Sequence, residues 1–120
     1  MKILVVDDIE ANRCLLAWIL QDEGHTTLEA VNGQEAIDLY QSASPDLVLM
    51  DIMMPGIDGI EATRAIRKTA GDKQVPIIFV SASENNQLLQ QCMDVGGNEL
   101  LYKPVNEEEL LAQVEKYGIN

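Results

Sequence analysis

Two hydrophobic periods take turns along this chain. Short aliphatic runs stand at Ile3 to Val6, Leu47 to Met50 and Pro76 to Val80, with weaker strand candidates at Thr26 to Ala30 and Glu99 to Tyr102. The first three are almost wholly apolar, as strands are when both faces of a parallel sheet are covered. Between the runs the spacing lengthens to that of helices. Ala11, Cys14, Leu15, Trp18 and Ile19 recur at i, i+3, i+4, i+7 and i+8, which predicts a single buried stripe on a first helix, with Trp18 in the core. Shorter stretches of the same spacing occur at Ala36, Ile37 and Tyr40, at Ala62, Ala65, Ile66 and Thr69, at Leu88, Leu89, Cys92 and Met93, and at Leu110, Leu111 and Val114. Asn32-Gly33, Ser44-Pro45, Gly71-Asp72 and Val95-Gly96-Gly97-Asn98 punctuate these patterns. Five β/α repeats predict an α/β fold, a doubly wound five-stranded parallel sheet, because parallel strands need right-handed crossover connections. No linker or low-complexity segment interrupts the repeats, so residues 1–120 are expected to form one domain.

In such sheets, ligands bind outside the carboxyl ends of the strands. The residues placed there are Asp7 and Asp8 after the first strand, Asp51 after the third, Ser81 after the fourth and Lys103 after the fifth. Three carboxylates in one crevice repel one another and raise each other's pKa, unless a cation sits among them. Hard oxygen donors suit Mg²⁺, which binds one or two carboxylates, waters and a phosphate oxygen. With a metal held there, Asp51 can attack phosphorus as a carboxylate nucleophile. Lys103 would neutralise the incoming phosphoryl group and the Ser81 hydroxyl would donate a hydrogen bond to it. Zinc is disfavoured, since His25 is the only histidine and falls in an expected loop beside Gly24.

Charge narrows the partners. Eight Lys and Arg against twenty Asp and Glu give a net charge of −12, which disfavours DNA, RNA and anionic lipid. Cys14 and Cys92, each inside an apolar helical pattern, read as small buried hydrophobes rather than a disulfide, in keeping with a reducing cytoplasm. No apolar run approaches the ~18 residues needed to cross a bilayer, and Lys2 leads directly into a strand instead of a signal-peptide core.

The segments LVVDD at Leu4 to Asp8, DLVLMDIMMPGIDG at Asp46 to Gly59, PIIFVSA at Pro76 to Ala82 and LLYKP at Leu100 to Pro104 occur in this order across nearly the whole chain. Together they resemble the response-regulator receiver domain, the phospho-acceptor module of two-component signalling. The resemblance implies a flavodoxin-like (βα)5 fold with strand order 2-1-3-4-5. It implies that Asp51 is phosphorylated and that Asp8 ligates Mg²⁺ directly, with Asp7 acting largely through water and the Met53 backbone carbonyl as a further ligand. Ser81 would follow the phosphoryl group and Lys103 would pair with it, and the Lys103-Pro104 peptide would be cis. A receiver is not a classical enzyme, although it catalyses its own aspartyl phosphorylation and dephosphorylation. Its expected partner is a sensor histidine kinase or a histidine phosphotransfer protein. A face made by the fourth helix, fifth strand and fifth helix would serve output or homodimerisation, with Gln87, Gln90, Gln91, Tyr102 and Glu109 as candidates.

Two positions refine this picture. The family usually has Tyr or Phe three residues before its lysine, and here Leu100 stands there; Tyr102 shares its strand face but lies two residues nearer the site. Met53 and Ser83 match positions that flank the acceptor and influence phosphoryl lifetime. A dehalogenase-type phosphotransferase would need a second Asp where Met53 stands, and a degenerate receiver would lack some of the chemical residues present here. Asp58 and the Glu107 to Glu109 run read as helix-starting acids without chemistry.

Overall fold

The computed structural model describes residues 1–70, 74–82 and 85–118, so the Gly71-Asp72 turn and Ser83 lie outside the described residues. Ten elements alternate in chain order: β1 (Lys2–Val6), α1 (Glu10–Asp22), β2 (Thr26–Ala30), α2 (Gly33–Ala43), β3 (Leu47–Asp51), α3 (Gly59–Ala70), β4 (Ile77–Ser81), α4 (Asn86–Asp94), β5 (Glu99–Tyr102) and α5 (Glu107–Gly118). All neighbouring strands are parallel and their order is β2-β1-β3-β4-β5, as expected.

Strand alternation divides the core in two. Leu4, Val6, Val48, Met50, Ile77 and Phe79 face one side, where they pack with Ala36 of α2, Ala62 and Ile66 of α3, and Cys92 of α4. Ile3, Val5, Leu47, Leu49, Ile78 and Leu101 face the other, against Leu16, Ile19 and Leu20 of α1 and Leu110 and Val114 of α5. Both faces of β1, β3 and β4 are thus buried, which is why their sequences show continuous apolar runs. Local signals start the helices. The Asn32 side chain accepts from Glu35 N at 2.8 Å to open α2, and Asn85 does the same for Gln87 N at 2.8 Å to open α4. Asp58 accepts from Glu61 N at 2.8 Å, and the three glutamates from Glu107 occupy the first turn of α5.

The first helix corrects the sequence reading. Ala11, Cys14, Leu15 and Trp18 face outward, Leu15 and Trp18 being 55% and 62% exposed, while Leu16, Ala17, Ile19 and Leu20 are buried. Trp18 is therefore not core, and Cys14 is an exposed free thiol; Cys92 is buried as anticipated. The physical reason is that α1 carries two apolar stripes on opposite sides. The sheet takes the one formed by Leu16, Ile19 and Leu20, whose branched side chains fill the space above Ile3, Val5 and Leu49.

Candidate functional site

The strand register brings the chemical residues to one edge. Val6 pairs with Met50, Asp51 with Val80, and Ser81 with Tyr102, so Asp7, Asp51, Ser81 and Lys103 leave or end adjacent strands at the same height. Carboxylate oxygens of Asp7, Asp8 and Asp51 all lie within 4.8 Å of one another. Asp7 and Asp51 are buried, at 1% and 4% exposure, whereas Asp8 is exposed to solvent. Lys103 Nζ stands 3.3 Å from Asp7 Oδ2 and 3.2 Å from Asp51 Oδ1. It therefore bridges the two buried acids instead of pairing with Glu99 or Glu107. Glu99 is engaged elsewhere, by Lys116 Nζ at 2.6 Å and the Tyr117 hydroxyl at 2.8 Å.

Backbone contacts hold these side chains in place. Asp7 Oδ1 accepts from Ile9 N at 2.9 Å, and Lys103 N donates to Ser81 O at 2.7 Å, tying the start of the β5–α5 connection to the end of β4. Ser81 itself is 1% exposed. The Lys103-Pro104 peptide is cis. Gly59 N donates to Ile52 O at 2.9 Å, and a Cβ at Gly59 would collide with the carbonyl oxygen of Asp51, so α3 starts directly against the backbone of β3 because residue 59 has no side chain. Met53 follows in the loop between them, its side chain 68% exposed.

The electrostatics match a site prepared for a cation. Burial, then the neighbouring carboxylate of Asp7, pushes the Asp51 pKa from the ordinary 3.8 up to about 6, against the opposing pull of Lys103. Burial works to lower the Lys103 pKa, but the Asp51 and Asp7 carboxylates more than offset it and the net shift is upward. The two buried acids share a single ammonium and the exposed Asp8 adds a third carboxylate, so the donor set is all oxygen and carries surplus negative charge. Such a set fits Mg²⁺.

Two polar contacts of one side chain at this edge are not signalled by the sequence pattern. Arg13, on the sheet side of α1 and largely buried, donates from its Nη1 to the backbone carbonyl of Asp7 at 3.0 Å and from its Nε to Glu29 Oε1 at 3.0 Å. Its partners lie 6 and 16 residues away, outside the reach of local periodicity. The available signal was a charged residue one turn before Leu16 and Ala17, on the buried side of the helix.

Beside the acids, Leu15, Leu16 and Ile19 of α1 face Val80, Pro104 and Val105 across a groove that also reaches Asp7 and Lys103. At the opposite end of the site, Leu100 packs half-buried against the α2–α4 side of the core and Tyr102 is 39% exposed.

Comparison with known proteins agrees with this geometry. The family model of the response regulator receiver domain matches residues 3–115. Protein PilH of Pseudomonas aeruginosa is 37% identical over 113 residues, covering 94% of this chain and 93% of PilH. Sporulation initiation phosphotransferase F of Bacillus subtilis is 34% identical over 116 residues, covering 97% and 92% of the two chains. Among solved structures, the receiver domain of a sensor histidine kinase from Pseudomonas aeruginosa, which holds a magnesium ion in its active-site cleft, superposes with a TM-score of 0.89. That pair is 29% identical, covering 97% of this chain and 95% of the other. The fold and site define a signalling domain of two-component systems. The chain belongs to the response regulator receiver domain family.

Proposed function

We propose that residues 1–120 act as one phospho-acceptor receiver that takes a phosphoryl group onto Asp51 from a phosphohistidine, with Mg²⁺ bound by Asp8, Asp51, the Met53 carbonyl and, largely through water, Asp7. The observation that carries this reading is the convergence of three carboxylates within 4.8 Å with one lysine between the two buried ones. The donor would be a sensor histidine kinase or a histidine phosphotransfer protein. When bound, the metal neutralises the acids and withdraws charge from the phosphoryl oxygens.

The residues of the chain perform the remaining work. An Asp51 carboxylate oxygen forms a bond to phosphorus as the donor's N–P bond breaks, and the electron pair returns to the imidazole nitrogen. Lys103, already 3.2 Å from Asp51, holds its ammonium where a phosphoryl oxygen arrives. The Ser81 hydroxyl donates to a second phosphoryl oxygen, and its shift, together with repacking of Leu100, carries the change toward α4. The donor seats along the groove between α1 and Pro104, because that groove runs into Asp7 and Lys103. The exposed Met53 side chain screens the acyl phosphate from water; Met53→Asn shortens the lifetime of the phosphoryl group. Phosphorylation adds roughly −1.5 to −2 charges and three acceptor oxygens. The face formed by α4, β5 and α5, including the exposed Gln87, Gln91, Tyr102 and Glu109, is the output and homodimer surface.

The test is intact-protein mass after incubation with acetyl phosphate and Mg²⁺, beside samples with chelator and with Asp51→Asn. One phosphoryl adduct that needs both metal and Asp51 supports the reading. Absence of an adduct together with failure to bind beryllofluoride overturns it in favour of a phosphorylation-independent binding module.

A further inference from the structure

Arg13 belongs to no element of the chemistry above, yet it is the single guanidinium that reaches the acidic edge among the described residues. Its Nη1 donates to the Asp7 carbonyl oxygen at 3.0 Å, and that carbonyl is half of the peptide group whose N–H belongs to Asp8. Fixing the plane of this peptide fixes the direction in which the Asp8 side chain departs. The Asp7 side chain is held separately, by Ile9 N at 2.9 Å and Lys103 Nζ at 3.3 Å. Asp8 is exposed, and no side-chain hydrogen bond or ion pair to it is found among the described residues, so its backbone is the route through which it can be oriented.

Glu29 completes the arrangement. It lies on β2 in register with Val5, one pair before the strand ends, and its Oε1 accepts from Arg13 Nε at 3.0 Å. Asp7 N also donates to Ala30 O at 3.2 Å, so the Asp7-Asp8 segment is tied to β2 by a backbone bond and by the Glu29–Arg13 bridge. The guanidinium is planar and presents its donors in a fixed fork, so bonding Glu29 at one edge determines where the other edge points. A largely buried Arg13, with 13% side-chain exposure, has few other orientations.

We infer that Arg13 is a positioning residue for the metal site, which holds the Asp7-Asp8 peptide in the orientation that lets Asp8 and Asp51 share one Mg²⁺, and that Glu29 aims it. This rests on the metal site proposed above. The role is one of preorganisation: without Arg13 the mutually repelling acids relax apart, and binding must gather them again.

Isothermal titration of Mg²⁺ alone into the full chain, compared among the unmodified protein, Arg13→Met, Arg13→Lys and Glu29→Gln, tests it. Arg13→Met is expected to weaken Mg²⁺ binding about tenfold, the low end of the range for groups that hold metal ligands in place. Arg13→Lys recovers about half of that loss on a logarithmic scale, since an ammonium can still reach the Asp7 carbonyl. Glu29→Gln, which keeps an acceptor but not its charge, weakens binding about two- to fourfold. If Arg13 were only a structural tie between α1 and β2, Arg13→Met would lower the thermal midpoint and leave Mg²⁺ affinity unchanged, and that result overturns the inference. Should Arg13→Met fail to fold, unchanged affinity in both Arg13→Lys and Glu29→Gln overturns it equally. An unmodified protein that binds no Mg²⁺ sinks the metal site itself, a different failure from an indifferent Arg13.

Discussion

The two ends of the sheet handle charge in opposite ways. At the amino end, Lys116 meets Glu99 at 2.6 Å, Lys2 N donates to Asp46 at 2.8 Å, and His25 Nδ1 lies 3.1 Å from the terminal amine; all of these groups have access to water. At the carboxyl end, Asp7 and Asp51 are buried with one lysine between them and Asp8 beside them. The amino end is electrostatically settled, whereas the carboxyl end crowds three carboxylates around one ammonium at a cost in stability. A fold of this class stores its reactivity where the strands end and keeps its ordinary ion pairs where they begin.

That contrast can be broken most severely at Lys103. Lys103→Met in chelator at pH 8 leaves two buried carboxylates without their cation and is expected to destabilise the chain by about 3 kcal/mol, read from urea denaturation. Next in size is the metal. Mg²⁺ at a hundred times its dissociation constant is expected to raise stability by about 2.7 kcal/mol through mass action, and Asp51→Asn to abolish most of that gain.

Asp51→Asn without metal has the opposite sign. It removes a repelled, buried charge and is expected to stabilise the protein by about 2 kcal/mol at pH 8, less than the full shift in pKa implies because Lys103 loses a partner. The pH dependence follows from the same group. With a folded pKa of about 6 against 3.8, the native state holds the extra proton between those values, so Asp51's contribution is full below that window and is lost as pH rises through it. Metal-free protein therefore shows a steeper fall in melting midpoint from pH 5 to pH 7 than Asp51→Asn does. His25, whose pKa is lowered chiefly by burial, acts in the reverse sense but equally in both proteins, so the difference isolates Asp51. At the far end Glu99 titrates the other way. Hydrogen bonds from Lys116 and Tyr117 hold its pKa down, and its contribution is lost only as the solution becomes more acid than the ordinary glutamate value of 4.5. The smallest effect is expected from Lys116→Met, which should leave the urea midpoint unmoved, since an exposed pair in water contributes little.

Much of this was legible in the sequence because it depends on short-range pattern. The strands of the sheet's centre are continuous apolar runs, and the residues that end them, Asp7, Asp8, Asp51 and Ser81, follow from chain order, with Lys103 added by the weaker edge strand. The first helix was misread for a physical reason. Its period is satisfied by the predicted stripe of Ala11, Cys14, Leu15, Trp18 and Ile19 and equally by Leu16, Ile19 and Leu20; only Ile19 belongs to both and is buried as expected, and periodicity cannot decide which stripe a sheet will take. Arg13 was missed because its meaning lies in a carbonyl on β1 and a carboxylate on β2, contacts that exist only after the crossover closes.

The outward turn of Trp18 has an optical consequence. It is the only tryptophan in the chain, and at 62% exposure its indole already sits in water while the protein is folded. Its emission is therefore a weak gauge of unfolding and a sensitive gauge of touch. A partner that settles on the outer face of α1 should shift that emission to the blue and shield it from a soluble quencher. One that engages only α4, β5 and α5 should leave it unchanged, so a cuvette can tell which side of the molecule is occupied.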